Sequence, residues 1–261
     1  MALVAMDDRV ELEVEADPES GRPPLLLINA LGTNLHLWDG QLEPFRAHFR
    51  MIRYDTRGHG ASSVPRGPYS IERLGRDALG VLDALAIPHA RVLGLSKGGV
   101  EGAWLAANAP SRVDRLVTCG SLPRLSPPEM WTERAATVRE RGMTALIDGV
   151  MGRWFTEGFR TAHPEKVQPI RDMVLRAHPE GYAAVCEALR DMDLSETVKT
   201  IACPVLVTAG EHDPAVTPEK AEAFAAAIPG ALYRTIPAAS HIANVEAKAA
   251  FDEIVLGFLK P

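Results

Sequence analysis

Cysteine is scarce in this chain: Cys119, Cys186 and Cys203 are the only three among 261 residues. Three cannot all pair within one chain, and their spacing matches no zinc pattern. They read as small buried hydrophobes of a reducing cytosol. Long apolar runs are missing too. None approaches the roughly 18 residues of a membrane span, and in the opening "MALVAMDDRV" two aspartates break the apolar start, unlike a secretory signal. Positive charge is not in excess. Lys and Arg number 28 against 34 Asp and Glu, a net charge of -6, with both signs interspersed. That argues against nucleic acid or an anionic membrane surface as partner. Repeats and low-complexity segments are also absent. What remains reads as a soluble cytoplasmic protein, with self-association left open.

The apolar content is ample, at 46%. A single domain of this length would bury roughly 75% of its unfolded surface. "RVELEVEA" alternates as an exposed strand does. "PPLLLINA", "RMIRYD", "ARVLGL" and "RVDRLVTCG" are short apolar runs suited to buried parallel strands. Helical periodicity occupies "SIERLGRDALGVLDAL" and residues 97–109. From 124 to 195 the pattern is helical, with no convincing strand. Alternation then resumes with "CPVLVTAG", "PEKAEAFAAAI", "ALYRTIP" and "NVEAKAAFDEIVLGFL". Strands alternating with helices predict a mostly parallel sheet covered on both faces. Residues 1–123 and 196–261 form its core. The helical insert 124–195, after the sixth strand, should lie as a cap over the carboxyl ends of the strands, where open α/β sheets bind ligands.

One junction carries chemistry. In "RVLGLSKGG" a strand passes into a helix through Gly94-Leu95-Ser96-Lys97-Gly98. A capping serine in an ordinary turn is one reading. The other is a nucleophile on a strained elbow, with small neighbours for clearance and the Lys97 amide at a helix N-terminus as an oxyanion donor. A nucleophilic serine needs a base and an orienting acid, in the order Ser, Asp or Glu, His. Asp213 in "GEHDPAVTP" and His241 in "ASHIANVE" each follow a predicted strand. Three fitting residue types at three fitting junctions favour the triad over chance. His59 in "RGHG" is the nearest rival base and reads as a loop residue. Asp55 and Arg57 read as braces of the same turn. The loop "INALGTNLHLWD" offers the Leu31 amide as the second oxyanion donor, with Gly32 permitting the fold of the loop. No phosphate loop or metal-ligand spacing is found.

"NALGTNLHLWD", "RYDTRGHGASS", "GLSKGG", "GEHDPAVTP" and "ASHIANVE" together resemble the α/β-hydrolase family, and more narrowly its 3-oxoadipate enol-lactonases. The resemblance spans essentially the whole chain, including "RWFT" in the cap. It implies an eight-stranded α/β-hydrolase fold and a cofactor-free, metal-free serine hydrolase. Ser96, Asp213 and His241 would be the triad, with the Leu31 and Lys97 amides as the oxyanion hole. The substrate would be a small anionic lactone or ester.

One position departs from the family: Lys97 stands where the lactonases usually have Met. Its ammonium could face the pocket and meet a substrate carboxylate, the reading we favour on sequence, or pair with Glu101 one turn on. Arg134 and Arg153 are further cations for that carboxylate, Arg153 reading rather as an exposed helix charge. Trp131 and Trp154 could line the pocket or pack in the core. A carboxylesterase, a C–C bond hydrolase, a lactonase of a biosynthetic route and a hydrolase-fold receptor are the competing functions. An intact triad weighs against the receptor.

Overall fold

The continuous apolar runs become the middle of a single sheet, because a strand covered on both faces has no position that tolerates a charge facing water. In the computed structural model, which describes residues 1–125 and 127–260, that sheet has eight strands. They are β1 (Ala2–Ala5), β2 (Glu11–Ala16), β3 (Pro24–Ile28), β4 (Arg50–Tyr54), β5 (Ala90–Leu95), β6 (Val113–Cys119), β7 (Val205–Gly210) and β8 (Leu232–Ile236). Their order is β1-β2-β4-β3-β5-β6-β7-β8. The first two pairings are antiparallel and all others parallel. Every residue of β7 is buried, whereas β8, at the edge, alternates.

Helices α1 (Asp39–Arg46), α2 (Ile71–Ala84) and α3 (Lys97–Asn108) belong to the first half of the sheet. Five helices, α4 (Pro128–Arg141), α5 (Ile147–Trp154), α6 (Glu157–Ala162), α7 (Pro164–Arg176) and α8 (Pro179–Asp191), lie between β6 and β7 in the chain. The ends of this insert are pinned together: Arg124 and Asp193 form an antiparallel bridge, and Leu194 N donates to Pro123 O at 2.8 Å. The expected ranges 124–195 and 196–261 include Ser126 and Pro261, which lie outside the described residues. Helices α9 (Pro218–Ala226), α10 (Ala243–Glu246) and α11 (Lys248–Leu259) complete the core.

Sequence patterning misses three features. β1 is too short to show a period; it forms because a turn at residues 6–10, with Arg9 at φ 65°, folds it back onto β2. α1 contains Pro44 and only two buried side chains, Gln41 and Phe45, so its helical stripe is faint. The closing helix is broken at Ala247 into α10 and α11. Among the described residues, no helix is long and apolar enough to cross a membrane. Cys119 and Cys186 are buried and Cys203 is half-buried, all three free thiols.

Candidate active site

Ser96 sits between β5 and α3 with φ 57° and ψ -118°, a left-handed conformation that a side chain rarely adopts. The glycines around it are required by close approach. A Cβ on Gly94 would lie 2.2 Å from Gly98 O, and one on Gly98 would lie 2.2 Å from Ile28 O. Ser96 N donates to Cys119 O (2.7 Å), and Ser121 Oγ donates to Ser96 O (2.7 Å), so the elbow is held from β6. The Ser96 side chain caps nothing in α3, which sets aside the N-cap reading.

Asp213, after β7, and His241, after β8, meet at Oδ2···Nδ1 2.6 Å, both buried. Burial alone would raise the Asp213 carboxyl. The charge and hydrogen bond of His241, with the amides of Val216 and Ala215 on Oδ1, hold it below the usual carboxylate range. With Nδ1 committed to Asp213, Nε2 is left for the pocket that Ser96 and His241 both line. Glu211, the other acid of the loop, is exposed and accepts from Ala238 N instead.

The loop after β3 lies opposite. Gly32 N donates to His59 Nε2 (3.0 Å) and Thr33 N to Ala30 O, while no hydrogen bond among the described residues uses Leu31 N. Gly32 has φ 81°, and a Cβ there would lie 2.9 Å from the Tyr182 ring of α8. His59, a plain loop residue on sequence grounds, therefore fastens this loop from below. Its Nδ1 faces Arg57 O at 3.3 Å, which makes Nδ1 the donor and Nε2 the acceptor. Complete burial, then the nearby Lys97 charge, push its pKa down to about 3. Nothing in "RGHG" reveals this partner, which is 27 residues away. Asp55 and Arg57 do brace their turn. Asp55 accepts from the amides of Leu35 (2.7 Å) and Ala61 (2.9 Å), and Arg57 pairs with Asp77 and Asp8.

The pocket wall is largely apolar, with Leu31, Val100, Leu122, Met130, Trp131 and Trp154 among its residues. Arg134 and Arg153 also line it, and among the described residues no carboxylate does. Arg134 lies over the Trp131 ring, 5.4 Å from its centroid, and the Trp154 ring stacks on His241 at 6.4 Å and 27°. Arg153 is exposed, as expected, yet it borders the pocket. Neighbouring protein atoms partly desolvate its guanidinium, and this, then the like charge of Arg134, lowers it below the ordinary guanidinium value.

Lys97 corrects the expectation of a pocket-facing ammonium. Its backbone opens α3 beside the pocket, but its side chain is 0% exposed and runs inward to Glu101 and Thr56 Oγ1. A carboxylate one turn on and a hydroxyl satisfy the ammonium there. Lys97 is thus no substrate cation. Its amide, at the first position of a helix, has no intrahelical acceptor.

The structure therefore gathers Ser96, His241, Leu31, Lys97, Trp131, Arg134 and Trp154 around one pocket, with Asp213 behind His241. Such a set can add a hydroxyl to an acyl carbon, hold the resulting oxyanion on amides and shuttle a proton. Comparisons with known proteins agree with that chemistry. Residues 23–141 match the family model for the alpha/beta hydrolase fold. 3-Oxoadipate enol-lactonase 2 of Acinetobacter baylyi is 39% identical over 99% of this chain and 96% of its own length. The crystal structure of the enol-lactonase from Burkholderia xenovorans LB400 superposes with a TM-score of 0.96 at 42% identity, covering 99% of both chains. A thermophilic esterase from Thermogutta terrifontis, solved with malate bound, gives 0.92 at 28%, over 99% of this chain and 97% of its own. Elbow, sheet order and similarity along the whole length converge: the chain belongs to the α/β-hydrolase family, among relatives of the enol-lactonases.

Proposed function

We propose that this protein is a serine hydrolase of small carboxylic esters or lactones bearing a free carboxylate, with 3-oxoadipate enol-lactone as its substrate. One observation carries the reading. The strained Ser96 and the Asp213-bound His241 share an apolar pocket whose charged lining groups, among the described residues and apart from Lys97, are two arginines. An apolar wall suits the ring of a lactone, and paired guanidinium groups suit its carboxylate.

In this reading helices α4 to α8 act as the cap, contributing Trp131, Arg134 and Trp154. His241 Nε2 takes the Ser96 proton as Oγ adds to the lactone carbonyl carbon. The carbonyl oxygen becomes an oxyanion held by the Leu31 and Lys97 amides, each donor worth roughly 3–4 kcal/mol in the transition state. Collapse breaks the ring ester bond. The ring oxygen leaves as an enolate, which takes the proton from His241 and becomes a ketone, so the leaving group is a good one. A water then adds to the acyl carbon with His241 again as base, and a second collapse releases the acid and restores Ser96. Enol-lactonase relatives and the apolar, doubly cationic pocket favour this over a general carboxylesterase.

Turnover of 3-oxoadipate enol-lactone against p-nitrophenyl acetate tests the substrate. A fluorophosphonate with peptide mapping tests the nucleophile. Label on Ser96 and preferential lactone turnover are expected; label on another serine defeats the mechanism, and a neutral ester preferred over the lactone defeats the substrate.

A further inference from the structure

The end of α5 and the loop carrying His241 are tied together. Ser240 Oγ donates to Arg153 O (2.8 Å), and Ile242 N donates to Trp154 O (3.1 Å). Glu246 completes the tie from the end of α10. Its Oε1 accepts from Thr156 N (2.9 Å) and Thr156 Oγ1 (2.5 Å), and its Oε2 accepts from Ser240 N (2.7 Å). Ser240 directly precedes His241, and Thr156 stands two residues after Trp154, whose ring stacks on the imidazole.

We infer that Glu246 is a positioning residue: its carboxylate locks the pocket wall bearing Arg153 and Trp154 to the loop bearing His241. Substrate selection and proton transfer then share one rigid unit. The inference rests on the reading of His241 as the base. An ionised carboxylate is suited to the task because both of its oxygens only accept, and three donors from two segments converge on it. Glutamine keeps one acceptor oxygen and turns the other into a donor facing a donor. The effect on chemistry follows from proximity. Ser240 and Trp154 are adjacent in sequence or in space to the imidazole, and a displacement of about 1 Å in such a site can cost about a hundredfold in rate.

The test is steady-state kinetics of wild type, Glu246→Gln, Thr156→Val and Thr156→Ser on two esters, neutral p-nitrophenyl acetate and monoanionic p-nitrophenyl glutarate. Circular dichroism checks folding. Glu246→Gln is expected to lower kcat about ten- to hundredfold on both esters, and to raise KM for the glutarate ester more than for the acetate. Thr156→Val should raise the glutarate KM selectively, and Thr156→Ser, which keeps the hydroxyl, should restore it. A folded Glu246→Gln with wild-type kcat and wild-type ester preference overturns the inference. Should Glu246→Gln not fold, the Thr156 pair decides, and an unchanged ester preference in Thr156→Val overturns it. Absence of fluorophosphonate label on Ser96 in the wild type is a separate result: it removes the hydrolase reading itself, before any variant is compared.

Discussion

Lys97 and Glu101 form an ion pair closed off from solvent: Nζ lies 2.5 Å from Oε1, and both side chains are 0% exposed. Thr56 Oγ1 accepts a second hydrogen bond from Nζ, and Tyr54 OH donates to the other Glu101 oxygen at 3.2 Å. The network lies behind the turn that carries Ser96, closed off from the pocket by its burial. Removing one partner strands the other, whereas replacing both by apolar side chains removes two desolvation penalties. Lys97→Met alone should cost about 3–5 kcal/mol of stability; burial, the largest influence on Glu101, already raises its pKa. The double variant Lys97→Met, Glu101→Leu should recover most of that loss. Urea denaturation measures both. Neither variant should change the preference for anionic over neutral esters; a lost preference in Lys97→Met would return the ammonium to the pocket.

His59 gives a pH signature. Its pKa, about 3 in the folded chain, lies below the ordinary value of about 6.5. Between those values the unfolded chain binds more protons, so the neutral, Gly32-bound imidazole penalises folding increasingly as pH falls. His59→Gln, which can still accept from Gly32 N, carries no such penalty. The stability advantage of wild type over His59→Gln should shrink by about 1.4 kcal/mol per pH unit below pH 6.5. Urea midpoints at pH 7 and pH 5 check this, and a difference independent of pH would mean that His59 is not buried neutral.

Asp213 holds the histidine tautomer through Nδ1. Asp213→Asn should lower kcat by roughly 10⁴-fold with little change in KM, because the amide stabilises the wrong tautomer. Glu211→Gln should be nearly silent, since the exposed Glu211 carboxylate accepts from Ala238 N and lies 4.0 Å from His212 Nε2, away from His241. Stopped-flow turnover of the enol-lactone distinguishes the two, and reversed effects would exchange the roles of these acids.

Arg134 and Arg153 line the pocket, and neither pairs with a carboxylate among the described residues. Arg134→Ala should weaken an anionic substrate by about 1–3 kcal/mol, the range for a charge-assisted hydrogen bond. Arg153→Ala should do less, since solvent screens an exposed charge. Neutral esters should be nearly unaffected by either. Paired KM measurements on p-nitrophenyl glutarate and p-nitrophenyl acetate provide the check, and equal losses on both would assign the arginines to folding.

Much was legible in the chain itself. Apolar runs at the buried-strand period fix which segments build the sheet, and their alternation with helical stripes dictates parallel pairing. Ser96 between Gly94 and Gly98 announces the elbow because only small neighbours clear the close contacts found there. Asp213 and His241 follow from their places after strands. These are local signals, written within a few residues of each site.

Partnerships between distant residues were decided only by the tertiary structure. Whether Lys97 points at the pocket or at Glu101 depends on the space behind the elbow, filled by Tyr54 and Thr56 from another strand and loop. That His59 holds Gly32, that Arg153 borders the pocket and that Glu246 joins Thr156 to Ser240 all require segments brought together by folding. The physical reason is that period and turn chemistry act over one to four residues, whereas the direction of a long polar side chain is set by whichever distant donor or acceptor relieves its burial.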